Sequence, residues 1–201
     1  MKQNRLFVFA GILVVIFVSC QKEASGDLPG NNNLKGNWKF VSAYATTRSE
    51  VQVNDGIDNL STITYSDYTT IQNAGTFVID DTRMSYTDLT YAVDDTAKGY
   101  VYDNGALVDS LEFPFAYTLP PTSANSSYRR VNADSIYFES GFITSGIAGN
   151  TPTIPIGARV KVEGDKMTIT SFYNETKTET DQGVTQITIN NAVIETRLQK
   201  Q

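Results

Sequence analysis

From Leu34 to Leu198 apolar residues recur mainly at every second position, and long stripes with helical spacing are absent. Thr, Val, Ile, Tyr and Phe fill these runs, and such side chains suit a pleated, half-buried surface. The pattern predicts a first long strand over 36–46, with Trp38, Phe40 and Tyr44 on one side and Val41, Ala43 and Ala45 on the other. A polar loop over 48–60 holds Asn54-Asp55-Gly56, and a short strand over 61–65 follows. The stretches 75–79 and 84–93 read as a hairpin turning at Asp80-Asp81-Thr82. Residues 100–102 and 106–108 flank Asp103-Asn104-Gly105, an Asn-Gly hairpin signal.

Further on, 111–117 is an apolar strand expected to stop at Pro120-Pro121, with loop over 122–127. Strands over 128–131 and 135–139 enclose Asn132-Ala133-Asp134, and 140–156, rich in Gly, Thr and Pro, reads as a long loop. The clearest hairpin joins 158–162 to 166–173 through Glu163-Gly164-Asp165. The last strand covers 184–198, and its alternation slips at Asn190-Asn191, which implies a bulge or a second tight hairpin. Eight to ten strands with almost no helix define an all-β, antiparallel, up-and-down chain. It closes as a barrel or packs as a β-sandwich.

The N-terminus is built differently. Lys2 and Arg5 precede an unbroken apolar run over 6–18, followed by Ser19 and Cys20. That run is shorter than the ~20 residues a membrane-spanning helix needs, and its order of charge, apolar core and small residue is that of a secretory signal. Phe17-Val18-Ser19-Cys20 resembles the lipobox of bacterial lipoproteins, with Phe17 departing from the usual aliphatic residue. The resemblance implies cleavage after residue 19 and a lipid on the Cys20 thiol. Gln21-Lys22-Glu23 resembles, in part, the lysine-plus-acidic export tag of Bacteroidetes-type lipoproteins, and also reads as plain polar tether. Residues 20–33 are then the lipidated cysteine and a flexible tether, and 34–201 the folded domain. The expected location is the cell envelope, lipid-anchored at the outer membrane, with the membrane face left open.

Charge narrows the partners. The whole chain is net −6. Removing Lys2 and Arg5 with the signal leaves 14 basic against 22 acidic residues, or −8. Nucleic acid, which is held by basic patches, is not an expected partner. Cys20 is the chain's one cysteine, so a lipidated chain forms no internal disulfide and depends on its apolar core.

Gly36-Asn37-Trp38, opening the first strand after the tether, resembles the Gly-X-Trp signature of the lipocalin and wider calycin superfamily. The resemblance implies an eight-stranded barrel in which Trp38 plugs the floor. Arg197, near the end of the last strand, would lay its guanidinium on the indole. In that reading Gly36, Trp38 and Arg197 are fold residues. The family's middle Thr-Asp-Tyr type signature has no clean counterpart; Asp67-Tyr68 and Thr87-Asp88 are fragments of it.

Catalytic chemistry is thinly represented. The chain has no histidine, which removes Ser-His-Asp and Cys-His systems and the common zinc sites. No cofactor and no metal are expected. Asp80 with Asp81 and Asp94 with Asp95 fall in predicted turns, where acidic residues form structure. Residues 54–59 offer oxygen ligands without the spacing of a calcium loop. Tyr86, Tyr91, Tyr100, Tyr102, Phe113, Phe115, Tyr117 and Tyr137 gather in the middle strands. Facing inward, they would line a cavity for a small apolar or amphiphilic ligand; ordinary strand propensity accounts for them equally. The expected function is a membrane-tethered, non-enzymatic binding barrel. The alternatives are a filled module that docks another envelope protein and a carboxylate-dependent hydrolase.

Overall fold

The computed structural model describes residues 34–141 and 155–201. The expected signal, Cys20 and the tether lie outside the described residues, as does most of the loop predicted over 140–156. Every regular element among the described residues is a strand: β1 (Gly36–Asn54), β2 (Asn59–Thr69), β3 (Ile71–Ile79), β4 (Arg83–Asp103), β5 (Ala106–Asn132), β6 (Ser135–Phe138), β7 (Ile156–Glu163), β8 (Lys166–Asp181) and β9 (Val184–Lys200).

All pairings are antiparallel, and β9 returns to lie along β1 from Trp38 to Asn54, closing the sheet on itself. The fold is an up-and-down, nine-strand ring. Only Thr70 separates β2 from β3, and both lie between β1 and β4, so they act as one bent strand. Thr70 holds the bend by donating its N–H to the Ala43 carbonyl and accepting the Ala43 N–H on Oγ1, each at 2.8 Å.

The ring is complete only at one end, here called the base. There lie Leu34, the chain's last residues and the turns 80–82, 133–134 and 164–165. β6 and β7 are short, and they pair only with 128–132 of β5 and 166–171 of β8. Beyond that level the order β5-β4-β2-β1-β9-β8 continues as an open sheet. It ends at a tip formed by the turns 55–58, 104–105 and 182–183. Register shifts in β3 near Gly75, in β4 near Asp88 and in β5 between Leu119 and Thr122 fall side by side. Bulges lined up across three neighbours bend a twisted sheet toward closure. Gly75 sits at φ +132°, where a Cβ would come within 2.8 Å of the Leu89 backbone, so the bulge needs glycine there.

Several strands outrun their apolar pattern. β4 carries Asp94-Asp95-Thr96 through its middle, exposed rather than in a turn. β5 continues through Pro114, Pro120 and Pro121. Among the described residues only β4 pairs with 106–127, so a proline nitrogen facing the other edge forfeits no ladder bond. In β1 a bulge between Phe40 and Ser42 moves the inward face from Trp38 and Phe40 to Ala43 and Ala45, which strict alternation had put on opposite sides. Asn190 and Asn191 form neither a bulge nor a turn. They pair in unbroken register with Glu175 and Asn174 of β8 and with Ser49 and Arg48 of β1. The apolar pattern slips there because β9 leaves the closed ring: toward the tip its inward positions become Asn190, Thr188 and Gln186.

The interior of the ring is packed solid. Trp38 is fully buried at the base, its Nε1 donating to the Leu34 carbonyl at 2.9 Å. Aromatic rings then run upward in contact, with centroids about 5.4–6.2 Å apart: Tyr86, Phe77, Phe40, Tyr91, Tyr117, Phe115 and Tyr68. Met84, Leu89, Ile136, Phe138, Met167, Ile169, Ile194 and Leu198 fill the sides. The outer wall interleaves charged side chains, Lys39, Arg129, Arg159, Lys161 and Arg197, with exposed Val41, Val78, Val131 and Phe172. Among the described residues no helix is long and apolar enough to cross a membrane.

Two core hydroxyls, those of Ser171 and Thr196, are buried with no hydrogen-bond partner among the described residues. Thr196 lies against Ile169 of β8 and Ala43 of β1. Thr196→Val keeps the shape and removes the desolvated hydroxyl. It should raise unfolding stability by about 1 kcal/mol in a urea titration.

Candidate functional site: the barrel mouth and the open sheet

Where the ring gives way to the open sheet, the interior ends in a shallow mouth. A hollow of about 180 Å³ lies there, lined by Thr47, Ser49, Thr64, Ser66, Tyr68, Ala97, Phe115 and Asn190 among others. Its polar groups already bond one another: Thr47 and Ser66 share a hydroxyl contact at 2.5 Å, and Ser49 Oγ donates to Asn190 Oδ1 at 2.7 Å. Tyr68, Tyr91, Phe115 and Tyr117 close the hollow from below, with the Tyr117 hydroxyl 3.4 Å from that of Tyr91. Burial pushes the Tyr68 hydroxyl up to about 12. Burial, with Tyr68 and Tyr91 beside it, raises Tyr117. Tyr173 is pushed up to about 12 by burial and by donating its hydroxyl proton to Glu175 at 2.7 Å.

The outer face of the open sheet holds a buried carboxylate. Glu50 is 8% exposed, with Ile63 of β2 and Ile189 of β9 opposite it on the flanking strands. Gln52 donates to it at 2.6 Å, and Arg48 pairs with its other oxygen. These donors, Gln52 foremost, hold Glu50 below the usual carboxylate range. Arg48 also donates from Nε to the Tyr65 hydroxyl at 3.3 Å. It borders a hollow of about 260 Å³ with Phe172, Asn174, Asn191 and Val193. The guanidinium is engaged within the chain and leaves little for an anion.

The expected lining residues divide. Tyr86, Tyr91, Phe115 and Tyr117 point inward and are joined in the column by Tyr68, which lay beyond the short strand predicted over 61–65. Phe113 is half-buried on the same face, close to Gly99. Tyr100 and Tyr102 lie on the outer face, Tyr100 edge-on to Tyr65 at 6.0 Å. Tyr137 is on the outer wall under the Arg129 guanidinium, 4.7 Å from the ring centroid. Tyr173, outside the expected set, marks the change in β8 from buried to exposed positions. The inward tyrosines form core and mouth rather than the wall of a large cavity.

Of the acidic residues singled out in the sequence, Asp55 and Asp80 serve turns, while Asp94 and Asp95 stand exposed within β4. Asp80 accepts the N–H groups of Thr82 and Arg83 at 2.8 and 2.7 Å, and Asp55 those of Ile57 and Asp58 at 2.9 Å. At the tip, Asn104 bridges two turns through its contacts with Asn59 and Asp58. Asn104 and Gly105 both take positive φ, the geometry of the predicted hairpin. Around these turns Ile57, Leu60, Leu107, Val108 and Val184 are exposed, Ile57 to 87%.

No family model matches the chain, and no curated protein matches it. A solved structure found to be similar is that of Ail, the attachment invasion locus protein of Yersinia pestis, at 10% identity and a TM-score of 0.18, over 82% of this chain and 99% of that one. A likeness at that TM-score says nothing of this chain's activity.

The lipocalin-like expectation is corrected: no family model supports that superfamily. The geometry departs as well. Arg197 points outward beside Glu195 at 3.2 Å, and Lys200 instead stands over the indole, 5.5 Å from the Trp38 ring centroid. Gly36 and Trp38 do open β1 at the base, but the ring above them is filled and opens into a sheet.

The raised tyrosines give an alkaline limit. A hydroxyl held above its ordinary value of 10.0 favours the folded state fully below that value and loses this advantage as pH rises toward about 12. Thermal melts should therefore fall steeply over that window, with tyrosinate absorbance from the buried set appearing only as the protein unfolds. Tyr68→Phe should shift the fall to higher pH.

Proposed function

We propose that the chain is a non-enzymatic interaction module of the cell envelope, tethered through lipid on Cys20, whose tip docks a protein partner. The observation that carries this reading is the distribution of apolar surface. The interior is packed from Trp38 to Tyr68, while Ile57, Leu60, Leu107, Val108 and Val184, five of the thirteen large apolar side chains exposed among the described residues and including the most exposed, stand around turns that face away from the base. Clustered exposed apolar side chains rimmed by polar ones mark contact surfaces. The tether would leave from the base, beside Leu34, so an anchored domain would turn its tip away from the lipid. The anchor itself rests on the apolar run over 6–18 that ends at the chain's one cysteine.

A small ligand inside the barrel has less support. The mouth hollow, at about 180 Å³, is below the ~300 Å³ at which ligand pockets begin, and four of its polar side chains, Thr47 with Ser66 and Ser49 with Asn190, bond each other. A hydrolase has less still. Asp55 and Asp80 brace turns, Glu50 is held ionised by Arg48 and Gln52, and Asp94 and Asp95 stand exposed along β4.

The test is site-specific photo-crosslinking of the full chain in its own envelope. A crosslinker at Ile57 or Val108 should give discrete protein adducts, and one at Lys161 or Arg129 on the base wall should not. Equal labelling from tip and wall would overturn the assignment of the tip. In the same cells, Cys20→Ser should move the protein out of the detergent phase; retention there would overturn the lipid anchor.

A further inference from the structure

The open sheet has two edges that nothing among the described residues pairs: β5 over 106–127 and β8 over 172–181. They differ in kind. Pro114, Pro120 and Pro121 interrupt the donors along β5, and proline is a common guard of exposed edges. β8 has no proline along its length, and its outer half alternates Thr176, Thr178 and Thr180 with charged residues. Threonine favours extended structure, so this edge keeps a full row of donors and acceptors able to receive another strand.

The charges select the strand. Glu175, Lys177, Glu179 and Asp181 share the face continuous with the ring interior, and Asn174 and the threonines share the other. Lys177 makes no ion pair among the described residues. When β8 is laid antiparallel on a second β8 with Thr176 opposite Thr176, Glu175 of each copy faces Lys177 of the other. Thr178 then faces Asn174. Centring on residue 175 or 177 sets like charges directly opposite. Centring on 178 matches Lys177 with Glu179 but sets Glu175 against Asp181. One register therefore satisfies the charges twice and repels nowhere.

We propose that the chain forms a two-fold dimer through the open edge of β8, with Thr176 on the symmetry axis, joining the two open sheets into one. The dimer is independent of the tip contact proposed above and uses a different surface. A single strand pair of this length buries less area than a standard interface, so the association is weak and concentration-dependent.

The test uses the full-length chain with Cys20→Ser, so that an introduced cysteine is the only one. Directly opposed residues in an antiparallel pair have Cα atoms about 4.5–5.5 Å apart, within disulfide reach. Thr176→Cys should give a disulfide-linked dimer under mild oxidation, and Thr180→Cys, opposite Phe172, should not. Adding Lys177→Glu to Thr176→Cys turns two attractive pairs repulsive. This should cut dimer yield about tenfold. Combining it with Glu175→Lys restores the opposite charges and should restore the yield, with circular dichroism confirming an intact fold in each variant. Equal crosslinking from positions 176 and 180, no effect of Lys177→Glu, or no rescue by the double exchange would each overturn the proposal.

Discussion

The structure depends on a column of aromatic rings standing inside the ring of strands. From Tyr86 and Phe77 through Phe40 and Tyr91 to Tyr117, Phe115 and Tyr68, each ring touches the next. The rings come from β1, β2, β3, β4 and β5. Each such side chain buries on the order of 150–250 Å². With no internal disulfide possible from a single cysteine, this burial is the main force that can hold a sheet closed against its own entropy. The same filling decides what the barrel can hold. Space occupied by Tyr91 and Tyr117 is space withheld from a ligand.

Two environments divide the strands along their length. Near the base each has one face in the core and one in water, and the alternation is clean: Met167, Ile169 and Ser171 inward, Lys166 and Phe172 outward. Toward the tip both faces meet solvent, and the pattern blurs into Thr, Asn and charge. Glu50 belongs to this second regime. Its carboxylate is shielded by flat packing between Ile63 and Ile189, and it keeps its charge because Gln52 and Arg48 lie two residues away on the same face of the strand.

That division explains what was legible in the sequence. The all-β, up-and-down architecture and the turns at Asp80-Asp81-Thr82, Asn104-Gly105 and Glu163-Gly164-Asp165 follow from period-two alternation and turn chemistry. Tyr86 and Tyr91, five positions apart, both face inward only because the register shifts of β4 lie between them. Strand length did not, because the extensions of β4, β5 and β8 are held by ladder hydrogen bonds that any backbone supplies. Pro120-Pro121 marked the end of a strand only on the premise that both edges were paired. Trp38 lies buried at the base, yet Gly36-Asn37-Trp38, three residues, could not specify its partner. Lys200, three positions beyond Arg197, sits over the indole because odd and even positions of β9 face opposite ways. The tip surface had no sequence signal, since its apolar residues come from three separate hairpins.

The closure of β9 on β1 also has a temporal meaning. Trp38 is opposite Lys200, so the first strand meets one of its two neighbours only when almost the whole chain is present. A chain delivered N-terminus first, from a ribosome or through a pore, can zip hairpins such as β4 with β5 as they emerge, but keeps an open edge on β1 until its last residues arrive. Contacts between such distant residues form late and slowly. The ring thereby stays open until β9 has emerged.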